Sequence, residues 1–480
     1  MKLAELLDKL DYAEFYGDKD TEISGLCTDS QKVREGDLFF CYKGEKFDSH
    51  DFAEDAVKSG AAAIICERKL GCGGAQIIVK DGRSAVAVVA RAYYGYADRN
   101  FKMVGVTGTN GKTTTTYMLE SIFSAAGKSA GVIGTLGISY ADKFVSPDLT
   151  TPDPIFLHSI LADMAECGVE YVFMEVSAHA LHFNKIDGIK FEAGIFTNCT
   201  QDHLDFFGNM RDYSECKKLL FKDGRCKNAV VNSDDKLGRQ IIDMIPAAIS
   251  YGLKNPADVF AIDISEKING SSFVINLFDE LYEMNVNVPA LHNVYNAMAA
   301  AACAKLLGIS TEAIAKGLNS LKKVEGRLEH VAHYNGADIF VDFAHTPDGL
   351  EKSLQALKKL CRGKLYCLFG CGGNRDRTKR PLMGEVASRY ADFSIITSDN
   401  PRYEDPFDII SEIEEGIKNS GKNYVTVTER ETATEYAVNL LEPDDILLVA
   451  GKGGEYYQEI MGIKHSYNDK TVIQSIIGLQ

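Results

Sequence analysis

The sequence predicts an α/β protein of three domains: a small α/β domain over 1–98, a central domain with a mostly parallel sheet over 99–323, and a doubly wound domain over 324–480. Three observations carry this. An apolar strand runs into a Gly-rich loop and a helix at "MVGVTGTNGKTTTTYMLESIF". Strand-like and helix-like runs then alternate through two long blocks, the pattern of parallel sheets covered by helices. And four strands of the last block end in polar signatures, DFAHTPD, GCGGNRDRTKR, SDNPR and GKGGE. Ligands of open α/β sheets sit beyond such strand ends.

The first block holds the short apolar runs "GDLFFCYKG", "GAAAIICE" and "AQIIVK" and closes on the helix-like "SAVAVVARAYYGYA"; polar "DRNFK" puts a boundary near Arg99. In the second, strands are expected at "MVGVT", "SAGVIG", "YVFMEV", "EAGIFTN" and "NAVVN". Residues 258–288 alternate with period two, which reads as a small antiparallel addition, and helices follow at 292–307 and 311–321. The third block offers strands at "ADIFVDFAH", "KLYCLFGCG", "DFSIITSDN", "YVTVT" and "DILLVAGKG".

Composition narrows the function. A formal net charge of −16 argues against nonspecific nucleic-acid binding. Twelve cysteines without a C-x-x-C pair suit reduced thiols in a cytosolic compartment. The amphipathic, acidic start is unlike a signal peptide, and no apolar run approaches the roughly 20 residues that span a bilayer. A cytoplasmic enzyme without membrane insertion is the expectation.

The loop GTNGKT, Gly108 to Thr113, supplies the first chemistry. Backbone N–H groups converge on an anion there, and the helix N-terminus adds roughly half a positive charge. Lys112 can reach β- and γ-phosphates, and the Thr113 hydroxyl can ligate Mg²⁺. Val106 occupies the first position of the G-x-x-x-x-G-K-[ST] pattern. "FMEVSAHAL" ends an apolar strand on Glu175, the place for a Mg²⁺ ligand, and "FTNCTQDHLDFFG" brings Asp202, His203 and Asp205 to another strand end. Zinc is the first metal to test against His179 and His203, but neither an i,i+4 His pair nor a Cys cluster accompanies them.

TDSQKVREGDLFF, GTNGKT, EVSAHAL, TNCTQDHLDFFG, GRLE, DFAHTPD, GGNRDRTKRPLM, DNPR and GKGGEYYQ occur in an order that resembles the Mur ligases, specifically their tripeptide-forming, diaminopimelate-adding branch, over nearly the whole chain. The resemblance implies an N-terminal UDP-binding domain, a central P-loop ATPase domain and a Rossmann-like amino-acid-binding domain. It implies that Gly108, Thr109, Asn110, Gly111, Lys112, Thr113 and Thr114 hold ATP, framed by Asn293, Asn296, Arg327, Asp342 and His345. Thr113, Glu175, His203 and a carbamylated Lys217 would bind Mg²⁺, making Lys112, Lys217, His203 and Glu175 the catalytic set. Ser30, Thr150, Thr151, Ser177 and Lys185 would meet the UDP substrate, and Arg375, Asp399, Asn400, Pro401, Arg402, Gly451 and Glu455 the amino acid. The family pattern is departed from at Phe183 and Lys185, where a polar residue and Arg are usual, and at Gln31, where Arg is common.

What the resemblance implies is ATP-driven amide formation. The carboxylate of UDP-MurNAc-L-Ala-D-Glu takes the γ-phosphate, and the amine of meso-diaminopimelate displaces phosphate from the acyl phosphate. A monomer acting on small molecules, with no nucleic-acid partner, is expected. L-lysine addition, another Mur ligase and folylpolyglutamate synthesis are the rivals within the class. A regulatory P-loop NTPase is the rival outside it, though it has no need of the polar strand ends of the third block. Arg402, fixed in a Pro-led turn, is a planar fork for the distal carboxylate that distinguishes diaminopimelate from lysine. The competing reading pairs Arg402 with Glu404 or Asp405.

Overall fold

The structure, a computed structural model, describes residues 1–44 and 47–479. It divides into two compact units. The first comprises Met1–Gly105, Ser129–Gly194 and Leu219–Lys227, and the second Val106–Lys128, Ile195–Lys218 and Asn228–Gln480.

The first unit contains a five-stranded sheet in the order Tyr12–Tyr16, Ala75–Val79, Ala63–Cys66, Asp37–Phe40, Gly25–Cys27. Its strands run parallel except Tyr12–Tyr16. Because side chains alternate across a strand, Phe40, Ile65 and Ile77 pack on one face with Val86 and Val89 of helix Gly82–Tyr93, while Phe39, Ile64 and Cys66 form the opposite core. The helix starts where Asp81 accepts bonds from the Arg83 and Ser84 amides, an N-cap. The two outer strands escape the sequence reading, since "YAEFY" and "GLC" are too polar or too short to stand out. This unit also carries Ala130–Gly134 paired in parallel with Tyr171–Glu175. The antiparallel strands Gly137–Tyr140 and Lys143–Val145 extend it.

Strand Cys226–Asn232, which lies in the second unit from Asn228 on, Ile249–Tyr251 and Val259–Lys267 pair in parallel. Val259–Lys267, Gly270–Leu277 and Glu280–Val286 then form the antiparallel addition expected from the period-two stretch. Helices Leu291–Leu306 and Thr311–Ser320 follow. A six-stranded sheet runs Glu329–Tyr334, Ala337–Asp342, Ile446–Ala450, Leu365–Phe369, Phe393–Ile396, Asn423–Thr426. It is parallel apart from its first strand. Both faces are covered, by Leu354, Leu357 and Met383 on one side and Ala433, Val438 and Ile473 on the other. That is why its strands read as unbroken apolar runs. Strand Glu329–Tyr334 and the hairpin Tyr457–Ile460/Ile463–Ser466 are further elements the sequence pattern does not announce. No helix among the described residues is long and apolar enough to cross a membrane, and the twelve cysteines are free thiols.

Candidate active site

Strand Lys102–Thr107 delivers the chain to the glycine loop and helix Lys112–Ala125. Gly108 and Gly111 have φ of 151° and 89°. A Cβ at Gly108 would lie 1.9 Å from Thr197 Oγ1, and one at Gly111 2.4 Å from Asn296 Oδ1, so both positions require glycine on backbone and space alike. The loop is strapped from the side by TNCT. The Asn110 amide donates to Asn198 Oδ1 at 3.0 Å, and Thr197 Oγ1 donates to the Asn110 carbonyl at 2.6 Å. The Thr200 amide donates to Thr109 Oγ1 at 3.1 Å. Lys112 Nζ folds back onto the Gly108 and Thr109 carbonyls at 3.0 and 2.9 Å, which keeps the ammonium over the loop. Arg327 Nη2 donates to Thr113 Oγ1 at 2.8 Å, and its guanidinium lies 4.3 Å from the Phe343 ring centre.

A cavity of about 370 Å³ opens beside this loop, and Asn110, Thr114, Asn293, Asn296, Arg327 and Asp342 are on its wall. Asn296 donates to Asn293 Oδ1 at 3.0 Å, and Asn293 to the Pro289 carbonyl at 2.6 Å, so the two amides are oriented before a ligand arrives. Asp342 accepts from the Leu328 and Ala344 amides at 2.5 and 2.8 Å. Burial raises its carboxyl above the ordinary value against the pull of Arg327. His345 is placed elsewhere: its Nε2 is 3.8 Å from Asp202, which also has His203 at 3.3 Å and Lys379 at 4.0 Å. Burial works to raise the Asp202 carboxyl, but the surrounding His345, His203 and Lys379 outweigh it and hold it well below the usual range.

Lys217 is 1% exposed. Its Nζ sits 4.3 Å from the Tyr213 ring centre, and Tyr213 OH lies 3.2 Å from Thr109 Oγ1. Burial lowers the amine to about 8 despite nearby Cys199 and Asp202. Its neighbour Lys218 pairs instead with Glu215 at 2.6 Å.

The expected residues of the first unit form their own network. Glu175, fully buried, accepts from the Thr135 amide at 2.8 Å and the Thr135 hydroxyl at 3.2 Å. Thr135 Oγ1 is 3.0 Å from Thr150 Oγ1. Thr151 Oγ1 donates to the Glu175 carbonyl at 2.8 Å and accepts from the Ser177 amide at 3.0 Å. The structure thus brings Thr150, Thr151, Glu175 and Ser177 together through Thr135, a residue the sequence reading missed. Ser30 lies on the separate turn Ser30–Lys32. Lys185 is tied to Asp153 at 2.7 Å, and Phe183 stacks on the Arg83 guanidinium at 4.3 Å.

In the six-stranded sheet, the strand ends bring Asp399, Asn400, Arg402, Gly451 and Glu455 into one neighbourhood. Asn400 donates to Glu455 Oε2 at 3.0 Å and accepts from Lys452 Nζ at 3.0 Å. Lys452 also reaches Glu455 at 2.9 Å. Gly451, at φ 114°, leaves no room for a Cβ, which would sit 2.5 Å from Asp399 Oδ2. Arg402 takes a left-handed backbone, φ 53°. Its Nε donates to Glu459 at 3.0 Å and its Nη1 to the Gly373 carbonyl at 2.8 Å. This corrects the pairing considered from sequence. Glu404 belongs to buried Arg380, at 2.9 and 3.0 Å, and Asp405 caps helix Pro406–Ile417 through the Phe407 amide. It also gives the fork an internal carboxylate, Glu459, which the sequence argument did not foresee. Gly372 lies between Arg402 and Arg375: a Cβ there would be 2.9 Å from Arg402 Nη1 and 3.8 Å from Arg375 Cγ. Burial first, then the charge of Arg402, lowers the Arg375 guanidinium from its ordinary value. The Pro401 carbonyl closes on Gly373, where a Cβ would be 1.9 Å away.

A P-loop beside a polar cavity, together with an arginine-bearing strand edge, matches known proteins along the whole chain. Residues 22–94 match the Mur ligase family catalytic domain, 106–304 the Mur ligase middle domain, and 326–453 the Mur ligase glutamate ligase domain. The UDP-N-acetylmuramoyl-L-alanyl-D-glutamate–2,6-diaminopimelate ligase 1 of Clostridium acetobutylicum is 42% identical, over 99% of this chain and 98% of that protein. The corresponding ligase of Geobacillus thermodenitrificans is 40% identical, over 99% of both. A solved structure of a UDP-N-acetylmuramoyl-L-alanyl-D-glutamate–2,6-diaminopimelate ligase superposes with a TM-score of 0.70 at 30% identity, covering 100% of this chain and 99% of that one. With three domain matches in order and relatives aligned end to end, the chain belongs to the Mur ligase family.

Proposed function

We propose that this chain is an ATP-dependent ligase joining meso-2,6-diaminopimelate to UDP-N-acetylmuramoyl-L-alanyl-D-glutamate, a step of peptidoglycan precursor synthesis. The observation that carries the reading is Arg402 held in a left-handed turn beside Asn400 and Glu455, in a chain whose end-to-end relatives bear that activity in their names.

ATP lies with its phosphates on Gly108–Thr113 and its nucleoside in the cavity walled by Asn293, Asn296 and Arg327. Lys112 moves from the loop carbonyls onto the phosphates, and the loop amides hold the charge as the γ-phosphoryl group leaves. Thr135, Thr150, Thr151 and Ser177 form a hydroxyl-rich wall for the peptidyl end of the UDP substrate, with Ser30 and Lys185 further contacts. The substrate carboxylate forms a bond to the γ-phosphorus as the bond to ADP breaks. The incoming amine then attacks the acyl carbon, phosphate leaves, and the amine proton passes to solvent.

The residues fit Mg²⁺, which favours oxygen donors and takes few from the protein. Within the second unit Thr113 offers a hydroxyl and His203 an imidazole, while Lys217 becomes a donor only as a carbamate; Glu175, a buried carboxylate of the first unit, joins the set only through the family resemblance. Burial supports that modification, because an ammonium enclosed to 1% exposure is costly and a carbamate gains a cation partner. When bound, Mg²⁺ neutralises phosphate charge. At the far end, Arg402 Nη2 and Arg375 take the distal carboxylate, while Asp399 and Glu455 take ammonium groups.

The test is an amino-acid panel with ATP and UDP-MurNAc-L-Ala-D-Glu, scored for amide product. Diaminopimelate is expected to be ligated with the highest kcat/KM. Equal or better use of L-lysine, or ATP turnover that needs no amino acid, overturns the reading.

A further inference from the structure

Helix Pro347–Leu360 begins at Thr346, whose hydroxyl accepts from the Gly349 amide. Its first turn presents Asp348, and that carboxylate does more than offset the helix dipole. Oδ2 accepts from Asn110 Nδ2 at 3.0 Å, from Thr200 Oγ1 at 3.3 Å and from Lys352 Nζ at 2.8 Å. Asn110 belongs to the phosphate loop and Thr200 to the strap that holds it. One oxygen therefore joins three chain segments, two of which lie 238 and 148 residues away. The same segments wall the nucleotide cavity, with Asn110, Gly111 and Thr200 on one side and Gly349, Lys352 and Ser353 on the other. The carboxylate is 27% exposed, so it closes a rim and is not part of a core.

We propose that Asp348 is the positioning residue that clasps the C-terminal α/β domain to the phosphate loop and holds the nucleotide cavity shut during turnover. Lys352, four residues along the same helix, donates to the carboxylate at 2.8 Å and keeps it aimed. Asn110 cannot shift without losing its bond to Asp348, so the state of the phosphate loop and the seating of the helix are linked. The consequence for chemistry rests on the ligase reading: a loosened rim admits water to an acyl phosphate, which is then hydrolysed to carboxylate and phosphate without forming amide.

Two measurements on the full chain separate the ideas. The first is dissociation of a fluorescent ADP analogue. Asp348→Ala is expected to speed release about tenfold, the scale of a charge-assisted hydrogen bond, and Thr200→Val by less. The double variant should match Asp348→Ala alone, since Asp348→Ala already removes the bond that Thr200→Val breaks. Asp348→Asn keeps the shape of the turn and decides the matter if the alanine variant folds poorly; it should also release ADP faster than wild type. The second is phosphate released per amide formed, expected to be one in wild type and above one in the Asp348 variants. Unchanged ADP release in folded Asp348→Asn, or full additivity of Asp348→Ala with Thr200→Val, overturns the clasp. A wild type that binds ADP but forms no amide overturns the ligase reading and leaves the ADP measurement to judge the clasp. A wild type that does not bind ADP overturns both.

Discussion

The phosphate loop and the DNPR turn are both strand-end loops with left-handed residues, yet they are braced by opposite means. Around Gly108–Thr113 many of the supports are neutral, from Thr197, Asn198, Thr200 and the backbone, and Lys112 Nζ donates to the Gly108 and Thr109 carbonyls. Asp348 brings a carboxylate to that loop at its rim, accepting from Asn110. Around Asp399–Arg402 the supports are ionic. Arg402 has Glu459, Lys452 has Glu455, Arg380 has Glu404 and Glu412, and fully buried Arg430 has Asp469. A loop that accepts a polyanion gains from neutral donors in its grip, because like charges there would oppose the ligand. A pocket for a zwitterion can hold both signs in advance and exchange internal partners for the ligand's groups.

The sharpest way to break the comparison is Lys112→Ala. If the loop depends on this cation, ligation should fall by about 10³-fold, the scale of losing a main charge stabiliser in the transition state, with an unchanged circular-dichroism spectrum. An unaltered turnover number would mean the loop does not grip phosphate. Next comes Lys217→Ala, expected to lower kcat by at least about 100-fold, with partial recovery on adding short carboxylic acids. Unmodified density at Lys217 in a nucleotide-bound crystal grown with bicarbonate would argue against the carbamate.

Arg402→Ala tests the ionic side. The ratio of kcat/KM for diaminopimelate over lysine should fall roughly tenfold to a hundredfold. Glu459 moderates the effect, because Arg402 is not left without a partner when lysine is bound. A ratio that stays at the wild-type value would remove Arg402 from specificity. The smallest effect on turnover is expected at Arg380→Met. It strands Glu404 and Glu412, each about one-fifth exposed, so the loss should appear as about 2 kcal/mol of stability in urea unfolding, below the range for fully buried pairs. Full loss of ligation without destabilisation would show Arg380 touching substrate and not bracing the loop.

Much of this was legible in the sequence, and the remainder failed for physical reasons. GTNGKT, the apolar strands of the last block and the DNPR turn are local signals, in which a few adjacent residues fix both geometry and chemistry. Arg402's partner is not local. Glu459 stands 57 residues on, brought in because the Met461 amide donates to the Arg402 carbonyl and sets that hairpin alongside the turn. Thr135, Thr197 and Asn198 were equally invisible, being hydroxyl and amide residues common in any loop. His345 shows the converse: its motif stands at a strand end as the pattern indicates, yet its ring lies 3.8 Å from Asp202, while Phe343 and Ala344 line the cavity beside the glycine loop. The strands missed, such as Tyr12–Tyr16 and Glu329–Tyr334, lie at sheet edges where half the residues meet water and the apolar pattern fades.

The left-handed backbone at Arg402 has a consequence for anyone redesigning this chain. Glycine at 402 would relieve about 1 kcal/mol of backbone strain. Loss of the Arg402–Glu459 pair, whose side chains are 19% and 23% exposed, would remove a comparable amount. The exchange would therefore be nearly silent in a melting curve, and a thermostability screen would accept it. An assay that offers both amino acids in competition is what would test whether the discrimination proposed for Arg402 goes with it.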